Sequence, residues 1–286
     1  MKDNTDKYRK GLGKKEALLL SELAAGNKPV FTSRDARAIL KEAPYGTLHN
    51  LKRKKWILSI KGGLYAIVPL DIGVKGAESF IVHDFVIASH LTSPYYIGMW
   101  SALNYHGLSD QIPAAVFICT PKAKKPVRVL NAQFVFVQLA ETKFIGIEKA
   151  VIEGREVNIS DKNKTIVDCL DHPQHAGGID EVAKAIYFNH EELDFAEIRG
   201  YALKAKNGAV FKRLGFILEA AGLLEKYRFA IEGVRLTKGY SALDKPGPKK
   251  GKYSEKWKLF VNAEINPNSP SSPSNTKGRA RYSRRT

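Results

Sequence analysis

One short segment of the chain concentrates side chains that bind metal ions in other proteins. They are Asp168, Cys169, Asp171, His172 and His175. A thiol followed by two histidines at spacings of three residues could supply part of a zinc site, but a structural zinc ion normally needs four ligands. Cys119 is the only other cysteine of the chain, and Cys169 continues an apolar run. We therefore interpret Cys169 as a core residue.

The two aspartates of this segment indicate a second candidate chemistry. Asp168 and Asp171 lie three residues apart, and a carboxylate pair on one helix face can hold magnesium in a nuclease. The sequence Asp171-His172-Pro173 is also typical of a helix end, where short polar residues form turns. The chain lacks a phosphate-cradling glycine-rich loop with lysine, a nucleophile elbow and a zinc-protease helix. We predict no catalytic residue, metal or cofactor, and keep a DNA-processing enzyme as an alternative hypothesis.

Phosphate neutralisation is the chemistry that the N-terminal region indicates. The stretches KKEALLLSELAAG and TSRDARAIL have helical apolar spacing. Gly26 ends the first helix, and the hydroxyl of Thr32 can cap the second. A third predicted helix, GTLHNLKRKKW, follows Pro44 and places Leu48 and Leu51 on one buried stripe. Its other face is polar and basic.

Two short β-like runs, WILSI and LYAIV, complete this region and are joined by Lys61 and two glycines, which favour a tight hairpin turn. Three helices followed by a hairpin are the order of a winged helix-turn-helix. Residues 1–70 hold 15 Lys and Arg against 6 Asp and Glu, whereas residues 71–264 hold 26 against 23. Because a basic surface on this fold neutralises phosphates, we predict a DNA-binding domain.

If the third helix enters the major groove, side-chain chemistry indicates a role for each residue. Asn50 can pair with adenine, Arg53 can read guanine, and Thr47 can contact a thymine methyl group or a phosphate. The neighbouring lysines are expected to hold phosphates. The predicted DNA-binding residues are Ser33, Arg34, Thr47, His49, Asn50, Lys52, Arg53, Lys54 and Lys61.

The remainder of the chain predicts a second, mixed domain. Two apolar helices, ESFIVHDFVIASHLT and YYIGMWSALNYHG, precede the strands AAVFICT, KPVRVL and AQFVFVQL, a hairpin around Gly154 and four helices from Asp161 onward. The later stretch PKKGKYSEKWKLFVN predicts an edge strand of this domain. The fold class is thus α/β (α+β), with a winged helix-turn-helix at 1–75, a sheet-plus-helices domain at 76–264 and a disordered basic tail at 265–286.

Several of these stretches together resemble a known family. They are GGLYAIVP at the end of the basic winged helix, YYIGMWSALNYHGLSDQIPAAVFICTPK, REVNISDKNKTIVDCLDHPQHAGGIDEVAKAI and KRLGFILEAAG. Between about residues 14 and 224 the chain is similar to the AbiEi antitoxins of bacterial type IV toxin-antitoxin systems, which act in abortive infection against phage. The resemblance implies that the winged helix represses its own operon at inverted repeats in the DNA, and that the C-terminal domain neutralises a nucleotidyltransferase-like toxin.

A basic face of the second domain is the candidate for toxin neutralisation, whether or not the two proteins touch. Its predicted residues are Lys122, Lys124, Lys125, Arg128, Lys212 and Arg213. A ligand-sensing transcriptional regulator is the remaining alternative. No apolar run of about 20 residues is present, and the first residues lack the apolar core of a secretory signal. We therefore expect a cytoplasmic protein without a membrane partner.

Overall fold

The computed structural model describes residues 9–70, 82–245 and 247–268. The chain divides into two compact units, the first comprising residues up to 90 together with 128–132, the second residues 91–127 together with 133 onward. The predicted domain boundary between residues 75 and 76 lies outside the described residues, as does the predicted tail from 269 onward. The first residue of that predicted tail, Ile265, packs against the core of the second unit.

The first unit begins with helices and a small sheet. Its elements are helix α1 (Lys14–Ala25), strand β1 (Val30–Thr32), helices α2 (Ser33–Leu40) and α3 (Tyr45–Arg53), strands β2 (Ile57–Lys61) and β3 (Leu64–Ile67), and helix α4 (Asp84–Ser89). Strand β3 lies between β1 and β2 and is antiparallel to both. The three predicted helices and the hairpin are confirmed. Strand β1 is an addition that the sequence pattern does not predict, and its last residue, Thr32, is also the predicted cap of helix α2.

Local interactions fix where the helices of this unit begin and end. Helix α2 begins in a capping box, in which the Thr32 hydroxyl accepts from the Asp35 N–H at 3.2 Å and the Asp35 carboxylate accepts from the Thr32 N–H at 2.8 Å. Helix α3 ends at Arg53, and Lys55 has a φ of +62°, outside the helical region. The predicted third helix, which runs to Trp56, is therefore three residues too long.

A six-stranded sheet is formed mainly by residues of the second unit. Its strands are β4 (Tyr96–Ile97), β5 (Ala115–Thr120), β6 (Val127–Val129), β7 (Ala132–Gln138), β8 (Ile147–Ile152) and β9 (Arg155–Ser160), in the order β6-β7-β5-β4-β9-β8. Strands β5 and β7 are parallel, and β8 and β9 form the predicted hairpin around Gly154. The prediction of one helix over residues 95–107 is wrong in its first part, because Tyr96 and Ile97 pair with β5 and β9.

Within the described residues of the second unit, five α-helices accompany this sheet. They are α5 (Met99–Tyr105), α6 (Lys162–Asp171), α7 (Ile179–Asn189), α8 (Phe195–Ala205) and α9 (Gly208–Ala220). Their apolar faces form one core with side chains from the C-terminal region. The four helices predicted after Asp161 are confirmed, and together with the mixed sheet they establish an α+β fold. Among the described residues, no helix is long and apolar enough to cross a membrane.

A separate three-stranded sheet completes the second unit. It comprises β10 (Ser241–Ala242), β11 (Lys252–Ser254) and β12 (Leu259–Val261), with β12 in the centre, parallel to β10 and antiparallel to β11. The stretch 248–262, predicted to add an edge strand to this domain, supplies both β11 and β12, and β11 lies at the edge of this separate sheet. Trp257 is buried against helix α9, where Gly215 leaves room for its ring.

Candidate nucleic-acid interface

Helix α3 carries most of the predicted DNA-binding residues on one side. Its buried side is formed by Leu48 and Leu51, which pack with helix α1 in the core of the first unit. His49, Lys52 and Arg53 are exposed, whereas Thr47 and Asn50 are half-buried. The helical period that buries the leucines is thus the reason why the polar side chains face solvent.

Two of these side chains contact each other. The Arg53 guanidinium donates to the Asn50 side-chain oxygen, with Nη2 and Oδ1 3.3 Å apart. This contact uses one of the two lone pairs of the Asn50 oxygen. The second lone pair and the amide N–H groups remain for a bidentate contact to adenine, and Arg53 holds the Asn50 side chain in place.

The hairpin turn is joined to the start of helix α2. The backbone N–H of Ser33 donates to the Gly63 carbonyl at 2.8 Å, and the Ser33 hydroxyl lies 3.4 Å from the same oxygen. Gly63 has a φ of +76°, which a residue with a side chain adopts only at a cost. These bonds hold the hairpin turn against the start of helix α2. Exposed Lys61 precedes the turn, and exposed Arg34 lies at the start of the helix.

Lys54 has a different environment from its neighbours in the basic run. Its ammonium donates to the Glu16 carboxylate at 2.6 Å and to the Gly11 carbonyl at 2.9 Å. The same carboxylate accepts from the Gly13 N–H at 2.7 Å and so caps helix α1. Burial alone would raise the pKa of Glu16, but its hydrogen bonds with Lys54 and Gly13 outweigh burial and lower this pKa. The geometry gives Lys54 a structural contact within the first unit.

The predicted basic face of the second domain is only partly a surface. Lys122, Lys124, Lys125 and Arg128 are exposed. Lys124 also donates to the Leu91 carbonyl, and its ammonium lies 4.9 Å from the centre of the Phe136 ring. These four basic side chains are therefore accessible to a partner in solution.

Lys212 and Arg213 are not part of that face, and their prediction as surface residues is wrong. Each is only 1% exposed. The Arg213 guanidinium donates to the carbonyls of Leu170, Ala242 and Leu243, and Lys212 donates to the Gly239 carbonyl. Burial lowers the pKa of both side chains. Both cations hold helix α9 to the chain around β10.

The candidate metal-binding segment is occupied by protein contacts. Asp168 is buried, accepts from the Tyr96 hydroxyl at 2.8 Å and pairs with Lys164. Asp171 is also buried, and its carboxylate accepts from Lys143 at 2.5 Å and from Asn207. Within residues 9–70, 82–245 and 247–268, no group of three or more His, Cys, Asp or Glu side chains could hold a metal ion.

One surface feature was not predicted from the sequence. Tyr240, Tyr253 and Phe260 lie together on the C-terminal sheet. The sequence signal for it is the close succession of aromatic and lysine residues in KYSEKWKLF. That signal cannot distinguish a buried aromatic residue such as Trp257 from an exposed one such as Tyr253.

Comparison with known proteins gives a fold but no family. No family model matches the chain, and no curated protein matches it. Among solved structures, the crystal structure of the RV2827C protein from Mycobacterium tuberculosis is similar, with a TM-score of 0.62 and 14% sequence identity. The similarity covers 90% of this chain and 94% of that chain. The two proteins therefore share an α+β fold across most of their length.

Proposed function

We propose that this protein is a bifunctional antitoxin, with a winged helix in the first unit that binds operator DNA and represses its own operon. The observation that carries the proposal is the arrangement of helix α3, whose leucines are buried while His49, Lys52 and Arg53 are exposed. A helix with this division can place its polar side in a major groove while its core side stays packed.

The contacts suggest how the work is divided within this interface. Lys52 is an exposed point charge suited to a phosphate. Arg53 and Asn50 are placed together and can supply donors to base edges. Arg34 and Lys61 lie on helix α2 and on the hairpin, which are joined through Ser33 and Gly63. The two cations are thus suited to contact phosphates of the DNA backbone at a fixed distance from each other.

Duplex DNA carrying the inverted repeat upstream of the gene provides the first test. Full-length protein with Lys52→Glu and Arg53→Glu should lose operator affinity, because two cations become like charges of the phosphates. The slope of log affinity against log salt should also become shallower by about 2. A matched control is Lys204→Glu with Lys206→Glu, which changes the net charge equally at two exposed positions of the second unit. Equal affinity and slope in wild type and the Lys52/Arg53 variant would exclude this interface.

The antitoxin part of the proposal derives from the resemblance to the AbiEi family. Its partner would be a nucleotidyltransferase-like toxin encoded beside it, and both would act in the cytoplasm. Exposed Lys122 and Lys125 supply the second unit with charge that could serve neutralisation. We expect this activity to be separable from repression, since helix α3 is confined to the first unit.

Co-expression with the product of the adjacent gene tests this part. The Lys52→Glu, Arg53→Glu protein should rescue growth as well as wild type while failing to repress an operon reporter. A Lys122→Glu, Lys125→Glu protein should repress normally and rescue poorly. A harmless neighbour, or loss of rescue and repression together in a folded variant, would contradict the bifunctional assignment.

A further inference from the structure

The C-terminal sheet has one buried and one exposed side. Leu259 on strand β12 is fully buried in the core of the second unit, and Trp257 is buried beside it. Phe260, the next residue of β12, lies opposite Tyr253 of β11 in the antiparallel register. Because successive side chains of a strand point to opposite sides, Phe260 and Tyr253 share the side that faces away from the core.

Three aromatic rings are grouped on this outer side, and we refer to Tyr240, Tyr253 and Phe260 as the aromatic face. The centre of the Tyr253 ring lies 4.9 Å from the centre of the Tyr240 ring and 5.1 Å from that of the Phe260 ring. Tyr253 is 68% exposed and Tyr240 is 43% exposed. Two adjacent tyrosine rings are therefore available for a partner that packs on aromatic surface.

The charge around the aromatic face is strongly positive. Residues 247–258 hold five lysines and one glutamate. The ammonium of Lys258 lies 5.6 Å from the centre of the Tyr240 ring, and Lys249, Lys250 and Lys252 are exposed. An apolar protein partner would not be attracted by this charge, and a second copy of the same basic surface would be repelled by it. A polyanion would be attracted.

We propose that the aromatic face binds single-stranded RNA. Unpaired bases stack on exposed aromatic rings while lysines track the backbone phosphates. A small sheet that presents aromatic side chains on its open side is a recurring platform for unpaired RNA. Duplex DNA is a poor occupant of the same surface, because its bases are already stacked on one another. Tyr253, the most exposed ring, is expected to contribute most.

Fluorescence anisotropy of full-length protein with a labelled, unstructured RNA of about twelve nucleotides tests this assignment. Tyr253→Ala should weaken binding by about 5- to 150-fold, the loss typical of one stacked base. Tyr253→Phe retains the ring and should bind within about twofold of wild type. Phe188→Ala removes an aromatic side chain that is 56% exposed on helix α7 and serves as the matched control. Thermal unfolding of each variant verifies that it is folded.

The same variants distinguish this surface from the proposed operator interface. Lys52→Glu with Arg53→Glu should leave RNA affinity within about threefold of wild type, and Tyr253→Ala should leave operator binding unchanged. RNA affinity that follows the Lys52/Arg53 variant instead would move the site to the first unit and overturn the proposal. An unchanged affinity in Tyr253→Ala, equal binding of single-stranded DNA with the same sequence, or no RNA binding by wild type would each overturn it as well.

Discussion

Substitution of Gly215 by alanine should destabilise the second unit, although alanine is the better helix former. Gly215 lies inside helix α9, and a Cβ placed there would come within 2.0, 2.4 and 2.5 Å of three carbon atoms of the Trp257 ring. No real Cβ approaches a carbon so closely, so that the ring must move. Trp257 is 6% exposed, and its indole N–H donates to the Glu219 carboxylate at 2.5 Å.

The magnitude follows from these contacts. Overpacking a core typically costs about 1–3 kcal/mol, and displacement of the ring also disrupts a hydrogen bond to a carboxylate, worth about 1.5–3 kcal/mol. The higher helix propensity of alanine offsets about 1 kcal/mol. We therefore expect Gly215→Ala to lower the free energy of unfolding of the second unit by about 1.5–5 kcal/mol.

Urea unfolding followed by circular dichroism measures this change, with Gly200→Ala as the control. Gly200 lies inside helix α8, where an added Cβ would meet no described atom within 4 Å, so that Gly200→Ala should raise stability by about 0.5–1 kcal/mol. Trp257→Leu in the Gly215→Ala background should remove part of the clash, giving a measurable coupling energy. If Gly215→Ala were as stabilising as Gly200→Ala, the packing argument would be refuted.

Three further outcomes are expected. The pKa of Glu16 is lower in the folded protein than in the unfolded chain. Its contribution to stability is therefore complete above the unfolded pKa and is lost as the pH falls through the folded pKa. Glu16→Gln should remove this contribution, so that the thermal unfolding midpoint falls less between neutral and acidic pH than it does in wild type. Arg213→Met leaves three buried carbonyls without their donor and should lower the free energy of unfolding by at least about 3 kcal/mol, against about 0.5 kcal/mol or less for exposed Lys204→Met. Gly63→Ala, at a φ of +76°, should cost about 1–2 kcal/mol and weaken operator binding, whereas Gly62→Ala should do neither; equal thermal midpoints would contradict this.

The elements that the sequence predicts well are those whose signals are local. The Thr32 cap and the spacing of Leu48 and Leu51 place helices α2 and α3, and the glycines after Lys61 place the hairpin. The signals are strong because they depend on neighbours three or four residues away. The end of α3 is predicted less well, since the left-handed conformation of Lys55 has no marker in its side chain.

Long-range contacts explain most of the differences. Two adjacent cationic residues such as Lys212 and Arg213 usually face solvent. Here the carbonyls that accept from Arg213 include those of Leu243, 30 residues later, and Leu170, 43 residues earlier. The short strand β4 is likewise determined by its partners β5 and β9. Its two residues read equally well as the start of a helix.

The Asp168 segment shows the same limit for site prediction. Its spacing allows a metal site. The carboxylate is instead satisfied by a local pair with Lys164, four residues earlier on helix α6, and by a long-range contact with Tyr96 that the sequence does not reveal. Exposure of the basic residues on α3 could be inferred from helical period. The separate role of Lys54 could not, because Glu16 lies 38 residues earlier in the chain.

The buried cations of helix α9 determine how far the chain can be shortened. A premature stop near residue 240 would remove the carbonyl acceptors of Arg213 at Ala242 and Leu243, together with the Trp257 ring beside Gly215. The truncated protein would retain the Arg213 guanidinium without these acceptors and an apolar groove on helix α9 that the lost residues had covered. Such a product should be a substrate for proteolysis in the cell. A nonsense mutation near codon 240 would then destabilise the whole second unit, although it leaves every predicted DNA-binding residue in place.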